Sequence, residues 1–191
     1  MALTSIGPTT LNIVVPALPN LANRLASDVG TIQLIVSIYL LAMAAGQLLM
    51  GSLSDRFGRR PVLIVALSVT AGASVSAVLI STVESLIAAR ILQAVGASAG
   101  VVISRAIIRD LFDRNRAASR LGLVATVMAV VPTLGPLIGG LLETGFGWEA
   151  IFLFTAITST LVVTWAAITL PETRGLNVQH GAREGFFRDL A

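Results

Sequence analysis

The fold of this chain is decided around one charged stretch, Gly51-Ser-Leu-Ser-Asp-Arg-Phe-Gly-Arg-Arg-Pro61. It holds three arginines and one acid, and hydrophobic runs of membrane-spanning length lie on both sides of it. Because a span that crosses lipid must satisfy its backbone internally, charge gathers in the connections between spans. The stretch is therefore predicted to be a tight, glycine-bent loop on the cytoplasmic face, between two spanning helices.

The composition excludes most soluble functions. Of the 191 residues, 55% are hydrophobic and only 12% are charged, whereas soluble domains carry about 25% charged residues. There is no cysteine and one histidine, His180, so thiol chemistry, disulfides and a histidine-based metal site are not expected. No nucleophile–base pair is present either. The arginines sit at span ends and form no single basic face, so nucleic-acid binding is not expected. We predict an integral membrane protein that is not an enzyme and holds no metal.

Six apolar stretches approach the roughly 20 residues needed to cross a bilayer. The predicted spans are 4–21, 31–52, 61–80, 85–106, 119–142 and 148–170. They make residues 1–172 an all-α bundle of six transmembrane helices, and residues 173–191 a polar cytoplasmic linker or tail.

The arginines predict the orientation of the bundle. Eleven of the thirteen fall on one side of the six spans, against Arg24 alone in the opposite loops, while Arg90 lies inside a span. Since cytoplasmic loops carry the excess of basic residues, both termini are predicted to be cytoplasmic. The expected location is the inner or plasma membrane.

A short internal repeat supports this layout. The end of span two, from Gly51 to Gly58, is echoed with one inserted residue by the end of span five, from Gly139 to Gly147. The two segments fall on opposite sides of the membrane, as an inverted three-plus-three repeat would place them. Chance similarity is the alternative explanation, because the match is brief.

The charged stretch resembles the loop between helices two and three of the major facilitator superfamily, usually written G-x-L-x-D-R-x-G-R-R. The matching residues are Gly51, Leu53, Asp55, Arg56, Gly58, Arg59 and Arg60. A generic positive-inside loop would explain the arginines, but not the acid or the glycine spacing. Within the loop, Asp55 is placed to cap a helix end and to pair with Arg59. The resemblance implies one half of a twelve-helix transporter, with the loop taking a structural or gating part.

Span four carries the chain's most costly residue, Arg90, about five residues below the outer end. At that depth an arginine should face a cavity or a partner, or else extend to the outer interface. Its surroundings resemble the R-x-x-Q-G-x-G motif of facilitator antiporters, with Gln93 in register and Ala94 replacing the first glycine. The resemblance implies that Arg90 lies by the central cavity and takes part in proton coupling.

Two further segments resemble drug exporters. Span five contains Gly135, Pro136, Gly139 and Gly140, which match the G-P-x-x-G-G core of the antiporter motif. Span one, from Gly7 to Pro19, resembles the first helix of the bicyclomycin-resistance branch, but Asn12 replaces its usual acid. An amide can hydrogen-bond a substrate but cannot take up a proton. We expect Asn12, Arg90 and Gln93 to line a substrate or coupling cavity.

The resemblance implies a secondary transporter that exports hydrophobic, drug-like molecules by proton antiport, with the proton gradient as energy source and no cofactor. A second six-helix half, or a homodimer, is expected as partner within the bilayer. The chain could be a fragment of a longer gene, a half-size protein that pairs, or a remnant without transport. The alternative function is a non-transporting subunit that associates with a full-length transporter. Alone, the chain is expected to leave Arg90 against lipid and not to transport.

Overall fold

The computed structural model describes residues 2–80 and 82–171, except for the side chain of Val29. These residues fold into an all-helical bundle. The helices are α1 (Ala2–Asn12), α2 (Leu18–Arg24), α3 (Val29–Phe57), α4 (Arg59–Val78), α5 (Val83–Leu111), α6 (Arg114–Phe146) and α7 (Trp148–Thr169), with a short 3-10 turn, Val15–Ala17, between α1 and α2. The predicted tail 173–191, with its three arginines and His180, lies outside the described residues.

The helices are separated by local backbone signals. Asp28 and Asp113 accept hydrogen bonds from backbone N–H groups in the first turns of α3 and α6, which satisfies donors that a helix start leaves open. Gly58 alone separates α3 from α4, and Gly147 alone separates α6 from α7. Both have positive φ angles, 104° and 87°, which glycine adopts without steric cost.

The charged stretch is therefore not the loop that the sequence predicts. Residues 51–57 form the last two turns of α3, and the chain reverses at Gly58. A polar helix end that extends into water keeps its backbone hydrogen bonds, so the end of the apolar run does not end the helix.

The first predicted span is broken where the sequence predicted a continuous one. Pro16 and Pro19 have no N–H, so the carbonyls of Asn12 and Val15 lack their usual helical donors. The chain passes from α1 through a 3-10 turn into α2. Each of the other five spans is a single helix long and apolar enough to cross a membrane.

The core of the bundle is formed around α5. This helix packs against α1, α3 and α4, and α4 also packs against α7. Buried residues make up 67% of the apolar stretch of α5, against 28% of that of α3 and 11% of that of α6. The helices α3 and α6 therefore present apolar faces that the described residues leave uncovered.

The two halves of the bundle reverse direction by the same turn at opposite ends. The Gly58 N–H bonds the Ser54 carbonyl at the end of α3, and the Gly147 N–H bonds the Glu143 carbonyl at the end of α6. In each case one positive-φ glycine ends one helix and begins the next. The internal repeat in the sequence thus corresponds to equivalent turns in the structure.

Candidate functional site

Arg90 lies in the interior of the bundle, with none of its surface exposed. Its Nη1 donates to the backbone carbonyl of Thr10 at 3.1 Å and to Oε1 of Gln93 at 3.0 Å. The alternative that Arg90 extends to the outer interface is wrong. The expectation that it meets lipid in the lone chain is also wrong, because α1 and α3 cover it.

Tyr39 supplies the main contact to the charged group. The guanidinium carbon of Arg90 lies 4.4 Å from the centroid of the Tyr39 ring, a cation–π distance. The Tyr39 hydroxyl donates to the Gly7 carbonyl of α1 at 3.0 Å, and the side chain is fully buried. The tyrosine therefore connects α3, α5 and α1. The sequence gives no signal for this pair, because nothing local relates two residues on different helices.

Gln93 connects Arg90 to α4 through hydrogen bonds. Since Arg90 can only donate, it fixes the amide oxygen of Gln93 toward itself. The Gln93 Nε2 then donates to Ser74 Oγ at 2.8 Å, and Ser74 Oγ donates to the Thr70 carbonyl at 2.7 Å. Ser74 and Thr70 are fully buried. Arg90 and Gln93, which the sequence predicts together, thus form one polar network.

The arginine has no acidic partner among the described residues. Asp55 and Asp110 both pair with Arg59. Two donors of Arg90, Nε and Nη2, make no hydrogen bond to any described residue. Its charge is offset by the Tyr39 ring and by a carbonyl near the end of α1, where the helix dipole is negative. The site can therefore hold a buried positive charge that still has unused donors.

Asn12 lies apart from this network, at the end of α1. Its Nδ2 donates to the Pro8 carbonyl at 2.8 Å. A Cβ built on Gly135 would lie only 2.7 Å from the Asn12 Cβ. The structure therefore brings Arg90 and Gln93 together, and places Asn12 against α6.

The antiporter-like segment of α6 packs on the break in the first span. A Cβ on Gly139 would overlap the backbone carbonyl of Ile13, and one on Gly140 would lie 4.0 Å from the Pro16 Cβ. Small residues let two helix backbones approach closely. The segment of α6 that contains Pro136 thus packs against the broken first span. The carbonyl of Thr10 in that span accepts a hydrogen bond from Arg90.

The Gly-x-x-x-Gly pair on α5 allows a second close approach. A Cβ on Gly96 would overlap the Ala66 carbonyl of α4, and one on Gly100 would overlap the Leu3 carbonyl of α1. These contacts hold α5, with its arginine, tightly between two neighbours.

The residues of the charged stretch connect the ends of four helices. Arg59 pairs with Asp55, donates from Nε to Asp110 Oδ2 at 3.2 Å, and donates to Ser54 Oγ at 2.8 Å. Arg60 donates to the Ala167 carbonyl at 2.6 Å. The ends of α3, α5 and α7 and the start of α4 therefore meet at one end of the bundle.

The remaining members of the stretch have other surroundings. Gly51 faces α5, where an added Cβ would lie 3.7 Å from Val102 Cγ1. Leu53 lines an apolar groove of about 340 Å³ between α3, α4 and α5. Arg56 stacks over the Phe57 ring at 5.3 Å. At the opposite end of the bundle, Asn20 donates to Glu143 at 2.6 Å.

Comparison with known proteins gives the family. The family model described as Major Facilitator Superfamily matches residues 1–190. The chain is 40% identical over 173 residues to a chloramphenicol resistance protein of Pseudomonas aeruginosa, covering 90% of this chain and 41% of that protein. It is 37% identical over 172 residues to multidrug resistance protein D of Escherichia coli K12, covering 90% of this chain and 44% of that protein.

A third relative is multidrug resistance protein MdtL of Shewanella sp. ANA-3, which is 34% identical and covers 87% of this chain and 42% of that protein. The chain thus spans less than half the length of the curated relatives it matches. The members of this family are transporters. Five helices of the described residues are long and apolar enough to cross a membrane, as a membrane transporter requires. The chain belongs to the major facilitator superfamily of multi-pass membrane transporters.

Proposed function

We propose that this chain acts as the N-terminal half of a secondary exporter of small, drug-like molecules that is driven by proton antiport. The buried Arg90–Gln93 network carries this proposal, because an ionisable residue inside a membrane span is costly and is retained for function. The names of the relatives, resistance to chloramphenicol and to multiple drugs, support the substrate class. The resemblance of span one to the bicyclomycin-resistance branch of drug exporters supports export as the direction of transport.

A partner completes the transporter in this proposal. The apolar faces of α3 and α6 are the least buried in the bundle, so they are the surfaces on which a second six-helix half, or a second copy, packs. Substrate then binds between the halves, and the two rock about it. Because the lone chain already buries Arg90, we expect it to be stable alone but unable to alternate its access.

Proton uptake needs an acid that the described spans of this half do not place at mid-depth. Asp55, Asp110 and Glu143 lie toward helix ends, and Asn12 cannot take up a proton at ordinary pH. In this proposal Arg90 tunes a proton site, and the carboxylate of that site comes from the partner half.

The orientation follows from the arginine-rich end. Since Arg59 and Arg60 share that end with α5 and α7, we propose that it faces the cytoplasm of the inner or plasma membrane, with both termini on that side.

The test is transport in liposomes by two proteins. One is the chain alone, and the other is the chain fused to the C-terminal half of multidrug resistance protein D. With an imposed proton gradient and the fluorescent dye ethidium, we expect gradient-dependent dye movement only by the fusion, and its loss in Arg90→Ala.

A fusion that inserts and folds but moves no dye would contradict the proposal and favour the non-transporting subunit. Movement by the chain alone would contradict the need for a second half.

A further inference from the structure

Toward the described part of the chain, Arg90 uses only one nitrogen of its guanidinium, Nη1. Both hydrogen bonds to described residues leave from Nη1, toward Thr10 and Gln93. The remaining donors, Nε and Nη2, are fully buried and make no hydrogen bond to any described residue. These two nitrogens lie on the same edge of the planar group and point two N–H bonds in parallel. The structure therefore holds a complete bidentate donor edge in its interior.

The charge of Arg90 is only partly offset by the residues that the structure describes. No described acid forms an ion pair with it, and a buried ion is costly unless it is paired and its hydrogen bonds are satisfied. The Tyr39 ring covers one face of the guanidinium at 4.4 Å and offsets part of that cost. A ring and a neutral carbonyl supply no full negative charge. A single negative charge on two oxygens would satisfy both the edge and the electrostatics.

The surroundings restrict what can carry those oxygens. Tyr39 belongs to a buried apolar cluster with Met43, Ala94 and Val101, against which Leu11 and Met128 pack. Such surroundings favour an apolar organic body. They disfavour a doubly charged phosphate, whose second charge would have no partner among the described residues.

We propose that the Nε–Nη2 edge of Arg90 binds the carboxylate of a small organic anion with an apolar body. This proposal rests on the proposed function and names a further substrate class for it: monocarboxylates, in addition to dyes such as ethidium. Arg90 is closed over in the present structure, so the anion reaches the edge when the spans separate. The break after Asn12 lies two residues from Thr10, so movement of the first span would uncover the edge and change its carbonyl contact together.

The test measures binding to the chain in nanodiscs, without transport. With ¹⁵N-labelled arginine, the Nε–H resonance of Arg90 is followed as benzoate is added, with neutral benzamide as the isosteric control. We expect a saturable shift with benzoate and none with benzamide. Arg90→Lys keeps the charge but not the fork, and its benzoate affinity, measured by thermal shift, should fall about tenfold or more, as for the loss of one charge-assisted hydrogen bond. Arg109→Lys, at an exposed position on the same helix, should bind as the parent does.

Equal responses to benzoate and benzamide, or unchanged binding in Arg90→Lys, would overturn the proposal. An Nε–H shift that changes with protein concentration before benzoate is added would also overturn it, since it assigns the carboxylate to a second copy of the chain. If Arg90→Lys does not fold, the comparison of benzoate with benzamide on the parent chain still decides. Dye export by the fusion without benzoate binding would refute only the anion site, and benzoate binding without dye export would refute only the exporter.

Discussion

The contact between Arg90 and Tyr39 makes a quantitative prediction about stability. Tyr39→Phe removes only the hydroxyl bond to the Gly7 carbonyl, which should lower the free energy of unfolding by about 1 kcal/mol. Tyr39→Leu also removes the ring 4.4 Å from the guanidinium. A desolvated cation–π contact contributes about 2 kcal/mol, so the total loss should be about 3 kcal/mol.

A double-mutant cycle isolates that contact. Arg90→Met removes the charge and leaves an apolar side chain, so Tyr39→Leu should cost about 2 kcal/mol less in the Arg90→Met background. The control pairs Tyr39→Leu with Arg109→Met, nineteen residues from Arg90 on α5, about 28 Å at 1.5 Å per residue. The unfolding free-energy changes of those two substitutions should add within about 0.5 kcal/mol.

The assay is reversible unfolding in mixed micelles of dodecylmaltoside and SDS, followed by the fluorescence of Trp148 and Trp165. A coupling energy between Tyr39 and Arg90 no larger than that of the control pair would refute the reasoning. The charge of Arg90 would then be offset by other groups.

Three more predictions concern other parts of the chain. Gly139→Ala should destabilise the bundle by about 1–3 kcal/mol, because the added Cβ would overlap the backbone of the broken first span. Gly145→Ala is the control, because the space around Gly145 is open, and equal melting temperatures of the two variants would contradict the prediction. Asp55→Asn should cost less than about 1 kcal/mol, since the acid is 66% exposed, and should lower transport by the full-length fusion while insertion is unchanged; unaltered dye export would show that the charged stretch only sets orientation. A reporter fused after Arg174 should be cytoplasmic and one inserted in the 20–30 loop external, and a cytoplasmic signal from that loop would refute the six-span topology.

Part of the site could be predicted from sequence because it depends on local chemistry. Arg90 stands out as a charge within an apolar span, and Gln93 was grouped with it through the resemblance to a family motif. The two lie three residues apart on one helix, a spacing that places them on one face. Asn12 was grouped with them through the resemblance to a family motif, but the structure places it against Gly135 of α6. Spacing along one helix predicts a shared face, whereas spacing between helices does not.

By itself, the sequence determined the membrane class and the five apolar runs that form single long helices. Both depend on local properties, the composition of the chain and the length of an apolar run. The break of the first span at its prolines and the turns at Gly58 and Gly147 were seen only in the structure. Only the tertiary structure decided that Arg90 is buried against Tyr39 and a carbonyl of α1 instead of facing lipid. That outcome depends on how each helix is rotated about its own axis. The rotation is set by close contacts such as those at Gly96 and Gly139, where two backbones meet only after the whole bundle has packed.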